Sequence, residues 1–267
     1  MKRKLLAMDL DGTAVSDDYS LSKASEDAFA LARRCGHVTA FVSGRRDVDM
    51  LSLKDAQWCA DYHILNNGGK IIRCRDRKII MNDCIGRETA VQMIRFASAN
   101  DLQLHIVSGM TWQVTKMTEG TLQYARQLGV IPEVIHSPEE TDCGRIEGFM
   151  ATADLEPVAA YIDKEMPDLM YVHSEPGTID IMKKGVSKWN GIAALAELLG
   201  IERKDIITAG NYYNDIEMIE KAGTGIAVAN AVDRVKEAAD YVTEHDNNHD
   251  AAAEIIDLML KGVFDSE

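Results

Sequence analysis

Cysteine is scarce in this chain, and its pattern excludes several roles. Cys35, Cys59, Cys74, Cys84 and Cys143 are odd in number and scattered, with no Cys-x-x-Cys spacing. That argues against a disulfide framework or a thiolate zinc site and fits the reduced thiols of a cytosolic protein. No apolar stretch is long enough to cross a bilayer as a helix. Lys2-Arg3-Lys4 followed by Leu5-Leu6-Ala7-Met8 has the order of a secretory leader, but the apolar run meets Asp9 too soon. Positive charge is also short: 29 Lys and Arg stand against 43 Asp and Glu, for a net charge of −14. A diffuse acidic surface disfavours nucleic acid and anionic membranes. An anionic substrate would therefore need local positive charge, from a metal or from a few Lys and Arg. There is no internal repeat and no low-complexity tract. Gly223-Thr224-Gly225 lacks the spacing of a dinucleotide fingerprint. With 267 residues, 46% of them hydrophobic and 27% charged, the chain suits one large or two modest domains with ample core.

The feature that carries chemistry comes early. Leu5-Leu6-Ala7-Met8 reads as a buried strand that Gly12 breaks, and Asp9 and Asp11 stand where strand gives way to loop. Side chains two apart on a strand leave from one face. Ligands of open α/β sheets bind at such carboxyl ends. Two carboxylates there can hold a hard cation, or divide the work between nucleophile and general acid.

The pattern that follows is β-α-β-α-β, the start of a doubly wound sheet. A helix from about Ser22 has Ala24, Ala28, Leu31 and Ala32 as its apolar face and stops at Gly36. Val38 to Val42 is a strand followed at once by Ser43-Gly44-Arg45. A helical stretch over 46–57 leads to a strand at Tyr62 to Leu65, a turn at Asn66-Asn67-Gly68-Gly69 and a hairpin. Helices mixed with paired strands then suggest a separate α+β module. From Lys188 the doubly wound rhythm returns: helix, strand at Ile206 to Ala209, the loop Gly210-Asn211-Tyr212-Tyr213-Asn214-Asp215, strand, helix. The expected fold is a Rossmann-like, doubly wound parallel-sheet core over 1–82 and 185–267, with an α+β domain inserted at 83–184.

If the sheet is parallel, four polar groups share one edge: Asp9 with Asp11, Ser43, Lys188, and Asn211 with Asn214 and Asp215. Phosphoryl transfer needs a positioned nucleophile, neutralisation of the phosphoryl oxygens and a proton donor for the leaving group. Each feature alone has an ordinary explanation: Ser43 as a helix cap, Lys188 as a solvated first-turn residue, Asn214-Asp215 as a turn. The ordered set is the specific signal.

That set resembles the haloacid dehalogenase-like phosphatases. Asp9-Leu10-Asp11-Gly12-Thr13 is similar to their first motif, Ser43-Gly44-Arg45 to the second, Lys188 in Lys184-Gly185-Val186-Ser187-Lys188 to the third, and Gly210 to Asp215 to the fourth. Asn67-Gly68-Gly69, Asn230-Ala231 and Ala238 to Thr243 resemble the Cof-type subfamily, subclass IIB. The resemblance implies a Mg2+-dependent phosphatase with a mobile α/β cap and an aspartyl-phosphate intermediate. Asp9 would be the nucleophile and Asp11 the acid and then the base. Ser43 would bind the phosphoryl group, and Lys188 would neutralise charge. Gly44 and Asn214 are further candidates for substrate contact, and Arg45 either reaches substrate or pairs with a surface carboxylate. Mg2+ would sit among Asp9, the Asp11 carbonyl, Asn211 and Asp215.

One position departs from the family pattern: the fourth motif usually opens Gly-Asp, and here it is Gly210-Asn211. A neutral amide oxygen replaces the carboxylate that normally touches the metal, so weaker Mg2+ binding and slower turnover are expected. The expected substrate is a small phosphorylated metabolite, a sugar phosphate by family analogy. Two other readings stay open: a phosphomutase or phosphotransferase, and a weakly active or inactive regulatory protein that binds phosphorylated ligands. The expected setting is the cytoplasm, without nucleic-acid or membrane partners; a monomer is plausible. Lys183 and Lys184 are expected as a solvated pair, and His245 to Asp250 as a polar helix start, not a metal site. Met110, Trp112 and Met117 are expected as core more than as pocket.

Overall fold

The apolar start of the chain does become the centre of a sheet. A computed structural model describes residues 2–175 and 177–265. Strand β1 (Leu5–Asp9) is buried along its whole length. It pairs in parallel with β2 (Val38–Val42), and β2 in parallel with β3 (Tyr62–Leu65). β4 (Lys70–Arg73) turns back antiparallel on β3, and β5 (Lys78–Asn82) lies beyond it at the edge. After the inserted segment the chain returns to this sheet as β12 (Ile206–Gly210), β13 (Thr224–Ala227) and β14 (Tyr241–Val242), all parallel, with β12 beside β1. The order is β14-β13-β12-β1-β2-β3-β4-β5. Parallel strands covered by helices read as near-continuous apolar runs, as β1 does and as β2 and β12 do apart from the buried Thr39 and Thr208.

Helix α1 (Lys23–Arg34) begins where expected, with Ser22 accepting the Ser25 N–H as its cap. Its buried face is not the expected one. Ser25, Phe29 and Ala32 are buried, whereas Ala24 is exposed and Leu31 is 41% exposed. Phe29 sets the rotation: its ring packs edge-on against Phe41 of β2, with centroids 5.2 Å apart. The expected helix over 46–57 is a run of 3-10 turns over Asp49–Trp58.

The chain divides into two compact units. The first holds Met1–Ser43, Leu53–Met81 and Ser187–Glu267; the second holds Gly44–Ser52 and Asn82–Val186. These limits differ from the expected ones at Asn82, at Gly185 and Val186, and most of all at 44–52. Within the second unit that segment is tied down by contacts among four side chains. The Arg46 guanidinium binds Asp49 through two bonds, 2.8 and 2.6 Å. It also lies 4.9 Å from the Trp112 ring centre, and the Tyr124 hydroxyl donates to Asp49 at 2.9 Å.

In the second unit β6 (His105–Ser108), β7 (Thr111–Val114), β8 (Glu133–Val134), β9 (Gly148–Ala151), β10 (Leu169–Glu175) and β11 (Thr178–Lys183) form a sheet ordered β10-β11-β9-β6-β7-β8. Its pairs are antiparallel except β7 with β8. Met93 and Ile94 of α2 (Arg87–Ala99) and Val158 and Ile162 of α4 (Leu155–Glu165) pack with Ile106, Phe149, Ile179 and Ile181. Between them in sequence lies α3 (Glu119–Leu128). Trp112 is core, as expected, and Met117 packs beside it, but Met110 is 57% exposed. Among the described residues no helix is long and apolar enough to cross a membrane.

Candidate active site

The carboxyl ends of β1, β2, β3 and β12 carry the polar residues of the first unit. β1 ends on Asp9, which pairs in register with Val42, the last residue of β2. Behind Asp9 the backbone folds tightly: the Leu10 carbonyl accepts the N–H groups of Thr13, Ala14 and Val15. Gly12 makes this turn at φ +69°, and a Cβ there would come within 2.4 Å of the Asn211 side chain. Thr13 is buried and donates through its hydroxyl to Asn211 Oδ1 at 3.2 Å. Asn230 donates to the Gly12 carbonyl at 2.8 Å.

Ser43, directly after β2, is buried. Its N–H donates to the Ile64 carbonyl at 2.9 Å, and its carbonyl accepts the Asn67 N–H at 3.0 Å. The turn over 66–68 is held against helix α5 (Lys188–Leu199), whose cap Ser187 accepts the Asn190 N–H. Gly68 has φ +105°, and a Cβ on it would lie 2.0 Å from the Ser187 carbonyl oxygen. Only glycine permits both that backbone and that approach.

Lys188, the first residue of α5, is 3% exposed. Its ammonium donates to Asp9 Oδ1 at 2.7 Å and to Asp215 Oδ1 at 2.6 Å. Asp215 is fully buried, and its second oxygen accepts the N–H groups of Asn211 and Tyr212 at 2.9 and 3.0 Å. Asp215 therefore clamps the loop after β12 and holds the lysine. Its Oδ1 accepts from Lys188 and its Oδ2 from the two backbone N–H groups. Asn214 donates to Asn67 Oδ1 at 3.3 Å. Asp9, Asp11, Ser43, Lys188, Asn211, Asn214 and Asp215 all lie in the first unit. Gly44 and Arg45 lie in the second, where Arg45 donates to the Asp49 carbonyl and the Ser52 hydroxyl.

Electrostatics set Asp9 apart. Burial pushes its carboxyl up to about 7; Lys188 opposes this, and the Asp215 and Asp11 carboxylates add to it. Lys188 is held fully charged: burial works against the charge, but Asp215 and Asp9 outweigh it. Lys188 is thus shared by Asp9 and Asp215, and the Asp11 carboxylate acts on Asp9 as well. Among the described residues no three His, Cys, Asp or Glu side chains converge as a ready-made metal cage. The oxygens of Asp9, Asp11 and Asn211 are nevertheless hard donors, of the kind a small divalent cation takes.

Of the remaining positions, Lys183 pairs with Asp83 at 2.6 Å. The His245 to Asp250 segment leads into helix α8 (Ala251–Leu260), with His249 bound to Asp246. Thr13, Asn67 and Asn230 stand in motifs that carry the family resemblance, and the structure adds their hydrogen bonds to Asn211, Asn214 and Gly12.

Comparison with known proteins agrees with this arrangement. The family model of the haloacid dehalogenase-like hydrolases matches residues 6–256. A 5-amino-6-(5-phospho-D-ribitylamino)uracil phosphatase of Bacillus subtilis strain 168, YcsE, is 28% identical over 258 residues, covering 95% of this chain and 94% of its own. A haloacid dehalogenase-like hydrolase from Bacteroides thetaiotaomicron has a solved structure that superposes with a TM-score of 0.85 at 24% identity, covering 97% of this chain and 100% of its own. The subclass IIB sugar phosphatase BT4131 superposes with a TM-score of 0.81 at 24% identity, covering 97% and 99%. These two structural likenesses are of fold. With the family model matching nearly its whole length, this chain belongs to the haloacid dehalogenase-like hydrolases.

Proposed function

We propose that the chain is a Mg2+-dependent phosphatase of a small phosphorylated metabolite, with a sugar phosphate as the favoured class, acting through an aspartyl-phosphate on Asp9. The observation that carries the reading is the buried contact of Lys188 with both Asp9 and Asp215 at the carboxyl edge of the sheet. Burial favours the protonated form of Asp9, and the Lys188 ammonium opposes it, orienting the carboxylate and favouring its ionised form for attack.

In the first step an Asp9 oxygen attacks phosphorus in line and the bond to the leaving oxygen breaks. Asp11 gives that oxygen its proton. In the second step Asp11, now a carboxylate, takes a proton from water as the water attacks phosphorus. The Asp9–phosphorus bond breaks, releasing inorganic phosphate and restoring Asp9. Ser43 hydrogen-bonds the phosphoryl oxygens, and Lys188 offsets their charge. Asp9, the Asp11 carbonyl and Asn211 would hold Mg2+, which when bound neutralises phosphoryl charge. Asp215 acts through Lys188 and the loop it clamps. Arg45, Gly44 and Asn214 are proposed to contact the organic part of the substrate, and the second unit to choose it.

One observation favours a second reading, a weakly active phospho-ligand-binding protein. Asn211 supplies a neutral oxygen at the metal position, and that oxygen accepts from Thr13. Phosphate release over a panel of phosphorylated metabolites, with Mg2+ titrated to high concentration on wild type and Asn211→Asp, separates the two. Release by wild type supports the phosphatase. Release by Asn211→Asp alone supports the binding protein. Silence from both, with retained fold, overturns the proposed reaction.

A further inference from the structure

The opposite edge of the same sheet holds a second concentration of charge. A cavity of about 770 Å³ is lined there by Arg3, Arg33, Arg73, Arg75 and Arg77 together with His37 and Trp58. Arg3 lies just ahead of β1, His37 just ahead of β2, and Arg73 ends β4 opposite Tyr62, the first residue of β3. This is the amino-terminal edge of the parallel strands. Asp9 stands about 20 Å away, at roughly 3.3 Å per residue along β1.

In a chain of net charge −14, five guanidiniums around one cavity need an explanation. Two of them are neutralised. Arg33 pairs with Asp61 at 2.9 Å, and Arg73 binds Asp76 through two bonds of 2.9 and 2.7 Å. Among the described residues Arg3, Arg75 and Arg77 form no carboxylate pair. Arg77 is moreover placed at a cost. It sits at φ +55°, where glycine or asparagine is the usual choice, and its guanidinium rests 4.6 Å from the centre of the Trp58 ring. His37 adds a buried donor. Its Nδ1 accepts the Lys4 N–H at 3.2 Å, so the neutral ring carries its proton on Nε2, which has no partner. Burial, and then the Lys4 ammonium, keep that imidazole neutral.

We infer that this cavity is a second binding site, remote from Asp9, for a small anion bearing more than one phosphoryl group. Arg3, Arg75 and Arg77, none of them in a carboxylate pair among the described residues although Asp76 lies within electrostatic reach of Arg75, suit a polyphosphorylated ligand better than a single phosphate, because each can engage a separate oxygen pair. The volume falls within the ordinary range for small-molecule sites. It is a binding site, not a second catalytic centre. The nucleophile at hand is Cys74, whose thiol burial and the Asp61 carboxylate push up to about 12.

The test is calorimetric titration of wild type with inorganic pyrophosphate in metal-free buffer, beside Arg75→Ala/Arg77→Ala and the control Arg87→Ala/Arg95→Ala. Arg77→Gly relieves the left-handed backbone and guards against misfolding as an explanation. The expected result is binding by wild type and control, weakened at least tenfold in Arg75→Ala/Arg77→Ala and clearly weakened in Arg77→Gly. All three variants should retain wild-type hydrolysis of p-nitrophenyl phosphate when Mg2+ is restored and pyrophosphate is absent. Binding also changes Trp58 emission, a change that disappears in Trp58→Phe. Equal affinity in wild type and Arg75→Ala/Arg77→Ala overturns the inference, as does equal weakening in the control. A wild type that binds no pyrophosphate also overturns it.

Discussion

Replacing Asp9 by Asn should make the metal-free protein more stable at neutral pH while removing its turnover. Asp9 is buried beside two other carboxylates with one lysine to share, and its carboxyl is pushed from the ordinary 3.8 up to about 7. Between those values the folded chain holds a proton that the unfolded chain has released. The associated stability is therefore complete below about 3.8 and is lost as pH rises through about 7. Three decades of proton affinity correspond to roughly 4 kcal/mol, at about 1.4 kcal/mol per decade. The amide of Asn keeps the shape and can still accept from Lys188, but it has no proton to lose. Denaturant unfolding of wild type and Asp9→Asn at pH 4, 5, 6, 7 and 8, in chelator, reads this directly. The stability difference should grow in favour of Asp9→Asn up to about pH 7 and then level off. Added Mg2+ should restore stability to wild type and not to the variant. Parallel stability profiles for the two proteins would refute the electrostatic reasoning.

Lys188→Met should lower turnover by about 100-fold or more and destabilise by roughly 3 kcal/mol at pH 8, because two buried carboxylates lose their counter-charge; steady-state rates and urea unfolding check it. Gly68→Ala should cost on the order of 3 kcal/mol, since its φ is left-handed and the new Cβ meets the Ser187 carbonyl at 2.0 Å; a melting temperature within a degree of wild type contradicts this. Asn211→Asp should tighten Mg2+ about tenfold and raise the rate, because a charged oxygen returns to the metal position; an unchanged Mg2+ dependence contradicts it.

What was legible in the sequence is what strand ends encode locally. Asp9, Ser43 and the Asn211 to Asp215 loop each directly follow an apolar run, so their shared edge followed from a parallel sheet. Lys188 was legible as the start of the helix with which the doubly wound rhythm returns. The function of Asp215 was not, because its two backbone donors and its lysine come from a folded loop and from a distant helix. The link between Thr13 and Asn211 spans the whole first unit and leaves no local trace. The buried face of α1 differs from the expected one because that face left out Phe29, whose ring sets the helix rotation. Residues 44–52 were assigned by their place in the chain, whereas Asp49 binds Tyr124, a partner far beyond any local pattern. The arginine cavity gathers residues from four separate segments, and its basic stretches, Arg3 beside Lys2 and Lys4 and the run over 73–78, converge only through the pairing of the strands.

The central claim is covalent chemistry at Asp9, and rapid quenching tests it most directly. Wild type would be mixed with radiolabelled p-nitrophenyl phosphate and Mg2+, stopped in acid within milliseconds, digested and mapped. The account predicts label on the peptide bearing Asp9, appearing with a burst of p-nitrophenolate and absent in Asp9→Asn. Turnover with no labelled Asp9 peptide at any time point, or label on another residue that survives Asp9→Asn, would contradict it.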